Sequence, residues 1–149
     1  MKIYLGADHN GFYFKQKIED FLSKNNYLID DLGDKKLDPQ DDYPIFARKV
    51  VNNVLSSPDL DPRGILLCGS GQGMMIAANR VKGIRACLGW SEQAAKDSRN
   101  DEDSNILCLP ASVLNTKQSL DIIKQWLDTP FSNAPRHIRR MRELDEMDS

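Results

Sequence analysis

Short apolar segments alternate along the chain with longer segments whose apolar residues recur at helical spacing. The short segments predict β-strands at 2–7, 27–31, 64–68, 84–88 and 104–109. The longer ones predict helices at 11–24, 44–55, 74–80, 91–99, 116–127 and 135–147. In the first of these, Phe14, Ile18 and Leu22 share one face. Pro44 lies in the first turn of the predicted helix 44–55, where its missing N–H costs nothing. Ser91 caps the predicted helix 91–99.

The regular alternation of strand and helix favours one fold class. Residues 64–68 are apolar without alternation, as expected of a strand whose two faces are both covered. We therefore expect residues 1–149 to form a single doubly wound α/β domain, with a five-stranded parallel sheet and helices on both faces. Ligands bind such sheets at the carboxyl ends of strands where the strand order reverses. The loops after the first and third strands, 8–11 and 68–73, are the places expected to carry chemistry.

Composition and charge exclude several classes of protein. Of the 149 residues, 40% are hydrophobic and 28% are charged, as in globular proteins and unlike disordered chains. The 20 basic and 22 acidic side chains leave a formal charge of −2, which argues against a surface built to hold nucleic acid. No apolar run approaches the roughly 20 residues that span a bilayer. Asp8 and His9 come too early for a signal peptide. We expect a cytoplasmic protein without a membrane or nucleic-acid partner.

The loop Cys68-Gly69-Ser70-Gly71-Gln72-Gly73 is the most informative segment of the chain. Its alternating glycines, between a buried strand and a helix, allow a ligand to approach the backbone. The first N–H groups of the helix are then free to bind an anion or a developing oxyanion. The loop lacks the Gly-Lys-Ser/Thr of a P-loop, and Met74 stands where a dinucleotide-binding fingerprint needs its last glycine. A tight structural turn is the alternative interpretation.

The 3 cysteines cannot all pair within one chain, and they lack the spacing of zinc ligands. Cys87 and Cys108 lie in apolar runs, where a free cysteine packs as a small hydrophobe. Cys68 lies where a strand ends and a helix begins, a position that favours the thiolate. It is a candidate nucleophile or base, with core packing as the alternative.

Charged residues at two other places are candidate ligands. After the first strand, Asp8 can accept hydrogen bonds from hydroxyls, and His9 can bind phosphate or transfer a proton. Near the C-terminus, four arginines lie within residues 136–142. Arg136 and Arg140 share one helix face and can clamp one phosphate. The alternatives are a solvated charged helix and a nucleic-acid patch, although no aromatic residue interleaves with the arginines.

Taken in order, these motifs resemble those of one family. They are Gly6-Ala7-Asp8-His9-Asn10-Gly11, Asp42-Tyr43-Pro44, the run from Cys68 to Asn79, Gly83-Ile84-Arg85-Ala86, Ser98-Arg99, Asn105 and Arg136-His137-x-x-Arg140. The chain resembles type B ribose 5-phosphate isomerase and its relatives, sugar-phosphate isomerases that include galactose 6-phosphate isomerase. Each motif alone is weak, but the ordered set is specific and runs from residue 1 to about residue 145.

The resemblance implies a three-layer Rossmann-like domain that acts as a homodimer, with active sites built from both subunits. It leaves open whether dimers pair into tetramers. It also implies interconversion of an aldose phosphate and a ketose phosphate, most directly ribose 5-phosphate and ribulose 5-phosphate, without a metal or cofactor. The expected catalytic residues are Cys68, which removes the proton beside the carbonyl, Ser70 and Asp101. The expected substrate-binding residues are Asp8, His9, Tyr43, Gly69, Gly71, Gly73, Glu102, Arg136 and Arg140.

Within that set the resemblance implies separate roles. The amides of 69–73 stabilise the enediolate, Asp8 and Ser70 hold sugar oxygens, and His9 binds phosphate together with the arginine pair. The enediol route needs neither a hydride acceptor nor a metal. Well-placed amides at a helix end that excludes water compensate for the modest strength of the base.

One segment departs from the family pattern. After Ser98-Arg99-x the family has His-Asn-Asp, in which the histidine assists ring opening and the asparagine helps at the enediolate. This chain has Asp101-Glu102-Asp103 instead. The Asp101 carboxylate can take a proton from an anomeric hydroxyl, but an ionised Glu102 that points inward would repel an enediolate. Three interpretations stay open: base-assisted ring opening, a different pentose or hexose phosphate as substrate, and low activity, down to a protein that binds sugar phosphate without turnover.

Overall fold

The computed structural model describes residues 1–147. Its strands are β1 Lys2–Ala7, β2 Leu28–Asp31, β3 Arg63–Cys68, β4 Ala86–Leu88 and β5 Ile106–Pro110. Its helices are α1 Phe12–Lys24, α2 Tyr43–Ser56, α3 Gln72–Asn79, α4 Glu92–Glu102, α5 Thr116–Asp128 and α6 Pro135–Glu146. None of the helices in this part of the chain combines the length and the apolar character needed to cross a membrane.

All five strands pair in parallel, in the order β2-β1-β3-β5-β4. Apolar residues align across the middle of the sheet, where Leu5 pairs with Ile65 and Ile65 with Leu107. Every residue of β3 is buried, as the uninterrupted apolar run predicts. The predicted α/β class with a five-stranded parallel sheet is confirmed.

Helices cover the two faces of the sheet and bury separate apolar clusters. Helices α1, α4 and α5 lie on one face, where Ile18, Ala95 and Trp126 are buried. Helices α2 and α3 lie on the other, where Val50 and Met74 are buried. The helices that follow the neighbouring strands β1 and β3 therefore leave in opposite directions. Such a reversal opens a crevice at the carboxyl ends of the two strands.

Helix α6 lies outside this three-layer arrangement. It packs on α4 and buries His137 and Met141. The arginines of the helix are exposed, and Arg139 forms an i,i+4 ion pair with Glu143 at 3.8 Å. The helix therefore presents a charged face beyond the body of the sheet.

Most element boundaries lie within two residues of the sequence prediction, and the end of α4 differs by three. Helix α4 continues to Glu102, beyond the predicted end at 99, and Nε of Arg85 donates to the carbonyl of Glu102 at 2.9 Å. Strand β4 begins at Ala86 rather than 84, because the N–H of Arg85 donates to Oδ1 of Asn105 at 2.8 Å rather than to a neighbouring strand. Both boundaries depend on side chains that meet only in the folded chain, so local periodicity does not indicate them.

Candidate active site

Three loops meet at the carboxyl ends of β1, β3 and β5. A Cβ added to Gly11 would lie 2.6 Å from Cβ of Leu67, so only glycine lets α1 begin this close to β3. A Cβ added to Gly69 would lie 3.4 Å from Nδ2 of Asn10 and 3.2 Å from Oγ of Ser112. The crevice brings together eight of the predicted site residues and the unpredicted Gln72, called here the Cys68 cluster: Asp8, His9, Tyr43 and residues 68–73.

Cys68 is the last residue of β3 and lies at the boundary of the core. Its residue surface is 5% exposed, and it packs with the apolar cluster under α2 and α3. Its carbonyl accepts a hydrogen bond from the N–H of Ala111 at 2.9 Å. Of the next two residues, Gly69 is half-buried and Ser70 is exposed. The thiol therefore belongs to the core on one side and adjoins the loop on the other.

The other two thiols are in different surroundings. Burial raises the pKa of the Cys87 thiol and raises that of Cys108 well above its ordinary value. Cys108 is fully buried in the middle of β5. A thiol held neutral in the core is unreactive, so the predicted packing role fits both cysteines.

The glycine loop ends in the N-terminus of α3. Gly71 precedes the helix with a φ of +74°, in the left-handed region that favours glycine. A Cβ there would also lie 2.5 Å from Cδ1 of Leu88. The N–H of Gln72 donates to Oγ of Ser70 at 3.3 Å. The first N–H groups of a helix have no partner within it, so this turn directs polar hydrogens at the loop and favours a bound anion.

Tyr43 is brought to the same loop by the start of α2. A Cβ added to Gly73 would lie 2.8 Å from Cζ of the Tyr43 ring, so the ring lies directly against the glycine. The tyrosine is 39% exposed. Its position closes one side of the Cys68 cluster with a ring whose hydroxyl can donate or accept a hydrogen bond.

Asp8 lies beside Cys68 at the neighbouring strand end. Its backbone N–H donates to the carbonyl of Leu67 at 3.2 Å, and its Oδ1 accepts from the N–H of Asn10 at 3.0 Å. The residue is 6% exposed. Burial raises the pKa of its carboxyl above the ordinary value, against the lowering effect of the Asn10 hydrogen bond. Asp8 is therefore a rigidly held acceptor in the crevice.

His9 is held by a residue that the sequence analysis did not single out. Oδ1 of Asp41 accepts hydrogen bonds from Nδ1 of His9 at 2.7 Å and from the His9 backbone N–H at 3.0 Å. The hydrogen bond to Asp41 raises the pKa of His9 above its ordinary value, and the charge of Asp8 adds to this. Asp41 belongs to a charged loop without periodicity, so no local signal identifies it.

The side chains of Asp8, His9 and Asp41 also bring together atoms of the kinds that bind metal ions. One ligand-type atom from each lies within 4.8 Å of the others. The nearest two, Nδ1 of His9 and Oδ1 of Asp41, already bond each other. A cation bound by both atoms would have to replace that hydrogen bond.

The remaining predicted residues form a second group, called here the Arg140 cluster: Asp101, Glu102, Arg136 and Arg140. The carbonyl of Glu102 is bound by Arg85, which immediately precedes β4. Glu102 therefore lies at the amino edge of the sheet, whereas Cys68 lies at the carboxyl edge. A strand rises about 3.3 Å per residue, so the residues from Gly64 to Cys68 alone separate the two edges by about 13 Å. The structure does not bring the two clusters together within one chain.

Asp101 connects α4 to α6. Its Oδ1 accepts from Nδ2 of Asn100 at 2.6 Å and lies 3.7 Å from Nε2 of His137. His137 is 3% exposed, and its Nδ1 bonds Oγ of Ser132 at 2.6 Å. The Asp101 side chain is 44% exposed, so it has a buried imidazole on one side and solvent on the other.

A cavity of about 540 Å³ lies at the amino edge, next to Glu102. The C-terminal part of α6 contributes Leu144 and Asp145 to its wall, and the segment before β4 contributes Lys82 and Arg85. The cavity is therefore on the side of the Arg140 cluster and away from Cys68.

The sequence matches one known protein family over nearly its whole length. The ribose/galactose isomerase family model matches residues 3–144. The chain belongs to the ribose/galactose isomerase family. The predicted resemblance is thereby confirmed, and by this membership the chain is an isomerase of the aldose–ketose type.

Individual relatives match over nearly their whole length. The ribose-5-phosphate isomerase B of Mycolicibacterium paratuberculosis is 37% identical over 146 residues, which cover 98% of this chain and 91% of that protein. The structure of ribose-5-phosphate isomerase B from Clostridium thermocellum has a TM-score of 0.94 and 40% identity, covering 99% of this chain and 97% of the other. The enzyme from Mycoplasma genitalium, solved with bound ribulose-5-phosphate, has a TM-score of 0.94 and 34% identity, with 99% and 97% coverage.

The left-handed glycine before α3 gives a test of the loop. Gly71→Ala should destabilise the protein by about 1–3 kcal/mol, because alanine is strained at positive φ and overlaps Leu88. It should also lower kcat at least about tenfold, since the N–H groups of the first turn move. Urea unfolding and an isomerase assay measure the two effects.

Gly83→Ala is the matched control, because Gly83 has a φ of +85° but lies near the amino edge, where its added Cβ meets Leu55 at 3.2 Å. It should lose comparable stability and keep its kcat. If the two variants lose kcat equally, the effect is a general loss of stability and the loop has no special role.

Proposed function

We propose that this protein interconverts ribose 5-phosphate and ribulose 5-phosphate by proton transfer through an enediolate. The observation that carries the proposal is the position of Cys68, between the core and a glycine loop that opens into a helix N-terminus. Family membership and relatives named ribose-5-phosphate isomerase B support the substrate. The relative solved with ribulose-5-phosphate supports a ketose phosphate as ligand.

In the proposed reaction Cys68 acts as the base. Its thiolate takes the proton from C2 of the open-chain aldose, the C1=C2 bond forms, and the electron pair of the C1 carbonyl moves onto O1. The enediolate is stabilised by N–H groups of the glycine loop and of the first turn of α3. The thiol then returns its proton to C1, and the proton of the C2 hydroxyl moves to O1 as the C2 carbonyl forms. The step is balanced within the substrate and one sulfur, and it needs no other reactant.

The other members of the Cys68 cluster bind the sugar in this proposal. Asp8 accepts hydrogen bonds from sugar hydroxyls, because its carboxylate is fixed at the strand end. Ser70 within the loop and Tyr43, whose ring lies against Gly73, each present a hydroxyl. The exposed Nε2 side of His9 donates to the phosphate. Each group is a hydrogen-bonding partner of the type that a polyhydroxylated phosphate ester requires.

The phosphate site is completed by a second copy of the chain. Arg136 and Arg140 are exposed on one face of α6, at the other edge from Cys68. Because one chain cannot bring both clusters to one substrate, the proposed active unit is a homodimer, in which the Arg140 cluster of each subunit meets the Cys68 cluster of its partner. We place the enzyme in the cytoplasm, where its free cysteines stay reduced.

Asp101 takes the place of the ring-opening histidine in this proposal. The anomeric hydroxyl and the ring oxygen are bonded to the same carbon, so one carboxylate can contact both. It takes the hydroxyl proton as the carbonyl forms and, once protonated, delivers that proton to the departing ring oxygen. A carboxylate that starts ionised can therefore open the ring without another acid.

The role of Cys68 is tested by hydrogen exchange. In D₂O the wild-type protein should exchange the C1 proton of ribulose 5-phosphate, seen by NMR, and Cys68→Ser should slow this by about 10²–10⁴-fold. Cys87→Ser is the matched control and should exchange normally. Thermal stabilisation by ribulose 5-phosphate should persist in Cys68→Ser. If ribulose 5-phosphate stabilises the wild-type protein but its C1 proton does not exchange, the protein binds sugar phosphate without turnover. If only another pentose or hexose phosphate exchanges a proton, that sugar phosphate is the substrate.

The shared site is tested by combining two inactive variants. The variant Cys68→Ser inactivates the Cys68 cluster. The double variant Arg136→Ala, Arg140→Ala inactivates the Arg140 cluster. In a mixed dimer with shared sites, one site carries both defects and the other carries none. Co-expression should therefore restore about a quarter of wild-type activity by random pairing. No recovery, in mixed dimers verified by tag purification, would mean that each site is built from one chain.

The role of Asp101 is tested by comparing a cyclic and an open-chain substrate. Asp101→Asn should lower kcat for ribose 5-phosphate by about 10–100-fold, because that sugar is mostly a closed ring. Exchange on ribulose 5-phosphate, whose C5 oxygen is blocked from ring closure, should be nearly unchanged. Asp97→Asn, on the same helix, is the control and should affect neither. If the rates of both reactions fall equally, Asp101 has no specific role in ring opening.

A further inference from the structure

We propose that Asp41 is the positioning residue of the phosphate site: through its hydrogen bonds to His9 it fixes the imidazole so that Nε2 faces the substrate phosphate. This inference rests on the proposed role of His9 in phosphate binding. Asp41 does not itself touch the substrate. It acts through the histidine.

The geometry fixes the orientation of the ring and requires a hydrogen on Nδ1. One oxygen, Oδ1 of Asp41, accepts from the backbone N–H of His9 at 3.0 Å and from Nδ1 at 2.7 Å. A carboxylate only accepts hydrogen bonds, so Nδ1 carries the hydrogen. Turning the ring over would break the shorter bond. The Asp41 side chain is 7% exposed and that of His9 is 30% exposed, so the acid is the buried anchor and the imidazole is the part that faces a ligand.

Within one chain, the charged groups that raise the pKa of His9 are all carboxylates. The groups that face it are Asp41, Asp8 from the end of β1 and Asp38 from the loop before α2. The hydrogen bond to Asp41 is the largest of several influences that raise the pKa of His9. Because the pKa is raised, the imidazolium is fully present at low pH and persists to a higher pH than that of a free histidine. Its contribution to phosphate binding is lost as the pH rises through the raised value.

Asp41 also connects the phosphate site to the sugar site. Its N–H donates to the carbonyl of Asp38 at 3.2 Å, which fixes the turn immediately before α2. Two residues later the same chain segment places the Tyr43 ring against Gly73. One turn therefore positions both the phosphate-binding histidine and the tyrosine beside the glycine loop.

The test compares Asp41→Asn with Asp38→Asn. Asparagine at 41 keeps an oxygen that can accept from Nδ1 but removes the charge. Asparagine at 38 removes an equal charge near His9 without touching the hydrogen bond. In NMR titrations, the His9 midpoint should fall by about one pH unit or more in Asp41→Asn and much less in Asp38→Asn. The chain has only 2 histidines, so His9→Asn assigns the signal.

The kinetic readout separates binding from chemistry. At pH 7, Asp41→Asn should raise KM for ribose 5-phosphate by about three- to tenfold with kcat nearly unchanged, because it weakens a charge-assisted hydrogen bond to phosphate. At pH 5.5 the imidazole is protonated in both proteins, so the KM difference should shrink to less than about twofold. A merely structural defect would lower kcat and would not diminish at low pH.

Failure of this inference is distinguishable from failure of the proposed function. If His9→Asn raises KM but Asp41→Asn behaves like Asp38→Asn, His9 binds phosphate and the role of Asp41 is overturned. If His9→Asn leaves KM unchanged in an active enzyme, the phosphate role of His9 fails, and the inference fails with it. If the wild-type protein does not turn over ribose 5-phosphate, the proposed function fails, and the NMR titration alone decides whether Asp41 holds the charge of His9.

Discussion

The candidate site depends on how closely three backbone segments approach one another at the carboxyl end of β3. Glycines at 11, 71 and 73 remove the β-carbons that would otherwise lie 2.5 to 2.8 Å from atoms of a neighbouring segment. This approach places the turn after β1, the N-terminus of α3 and the start of α2 around one sulfur. Backbone amides are well suited to such a place. They stabilise a developing oxyanion without carrying a charge that would also hold the ground state tightly.

Under the proposed function, the two clusters stabilise charge at the two ends of the substrate in different ways. At the Cys68 cluster negative charge moves from the thiolate to a substrate oxygen only during the reaction, and the fixed dipoles of the backbone amides stabilise it on that oxygen without reorganising. At the phosphate the charge is permanent, so cationic side chains are effective there. Helix α6 carries those cations at the amino edge, beyond the body of its own subunit. Under the proposed function, dimerisation is then a requirement of the chemistry and not only of stability.

Much of the fold and half of the candidate site follow from local patterns. Apolar periodicity predicts all eleven elements, and the alternation of strand and helix predicts the parallel sheet. A glycine loop at a strand end is likewise a local signal for Cys68. Asp41 is different, because its contact with His9 spans 32 residues and lies in a loop without periodicity. The same holds for Arg85, which extends α4 through a contact made only after folding. Strand order, and hence the distance between the two clusters, has no local signature either.

The acidic segment at the end of α4 is compatible with turnover for an electrostatic reason. Asp103 is paired with both Arg85 and Arg99, at 3.1 and 2.9 Å, so its charge is already balanced. Glu102 is exposed and lines a cavity whose wall also includes Lys82 and Arg85. Under the proposed function, Lys82 and Arg85 in the same cavity wall reduce the repulsion between the Glu102 carboxylate and the enediolate bound by the partner subunit. Under the proposed function, the main effect of Glu102 in place of asparagine is therefore the loss of a hydrogen-bond donor and not added repulsion, and the amides of the glycine loop supply the stabilisation that the donor would have shared.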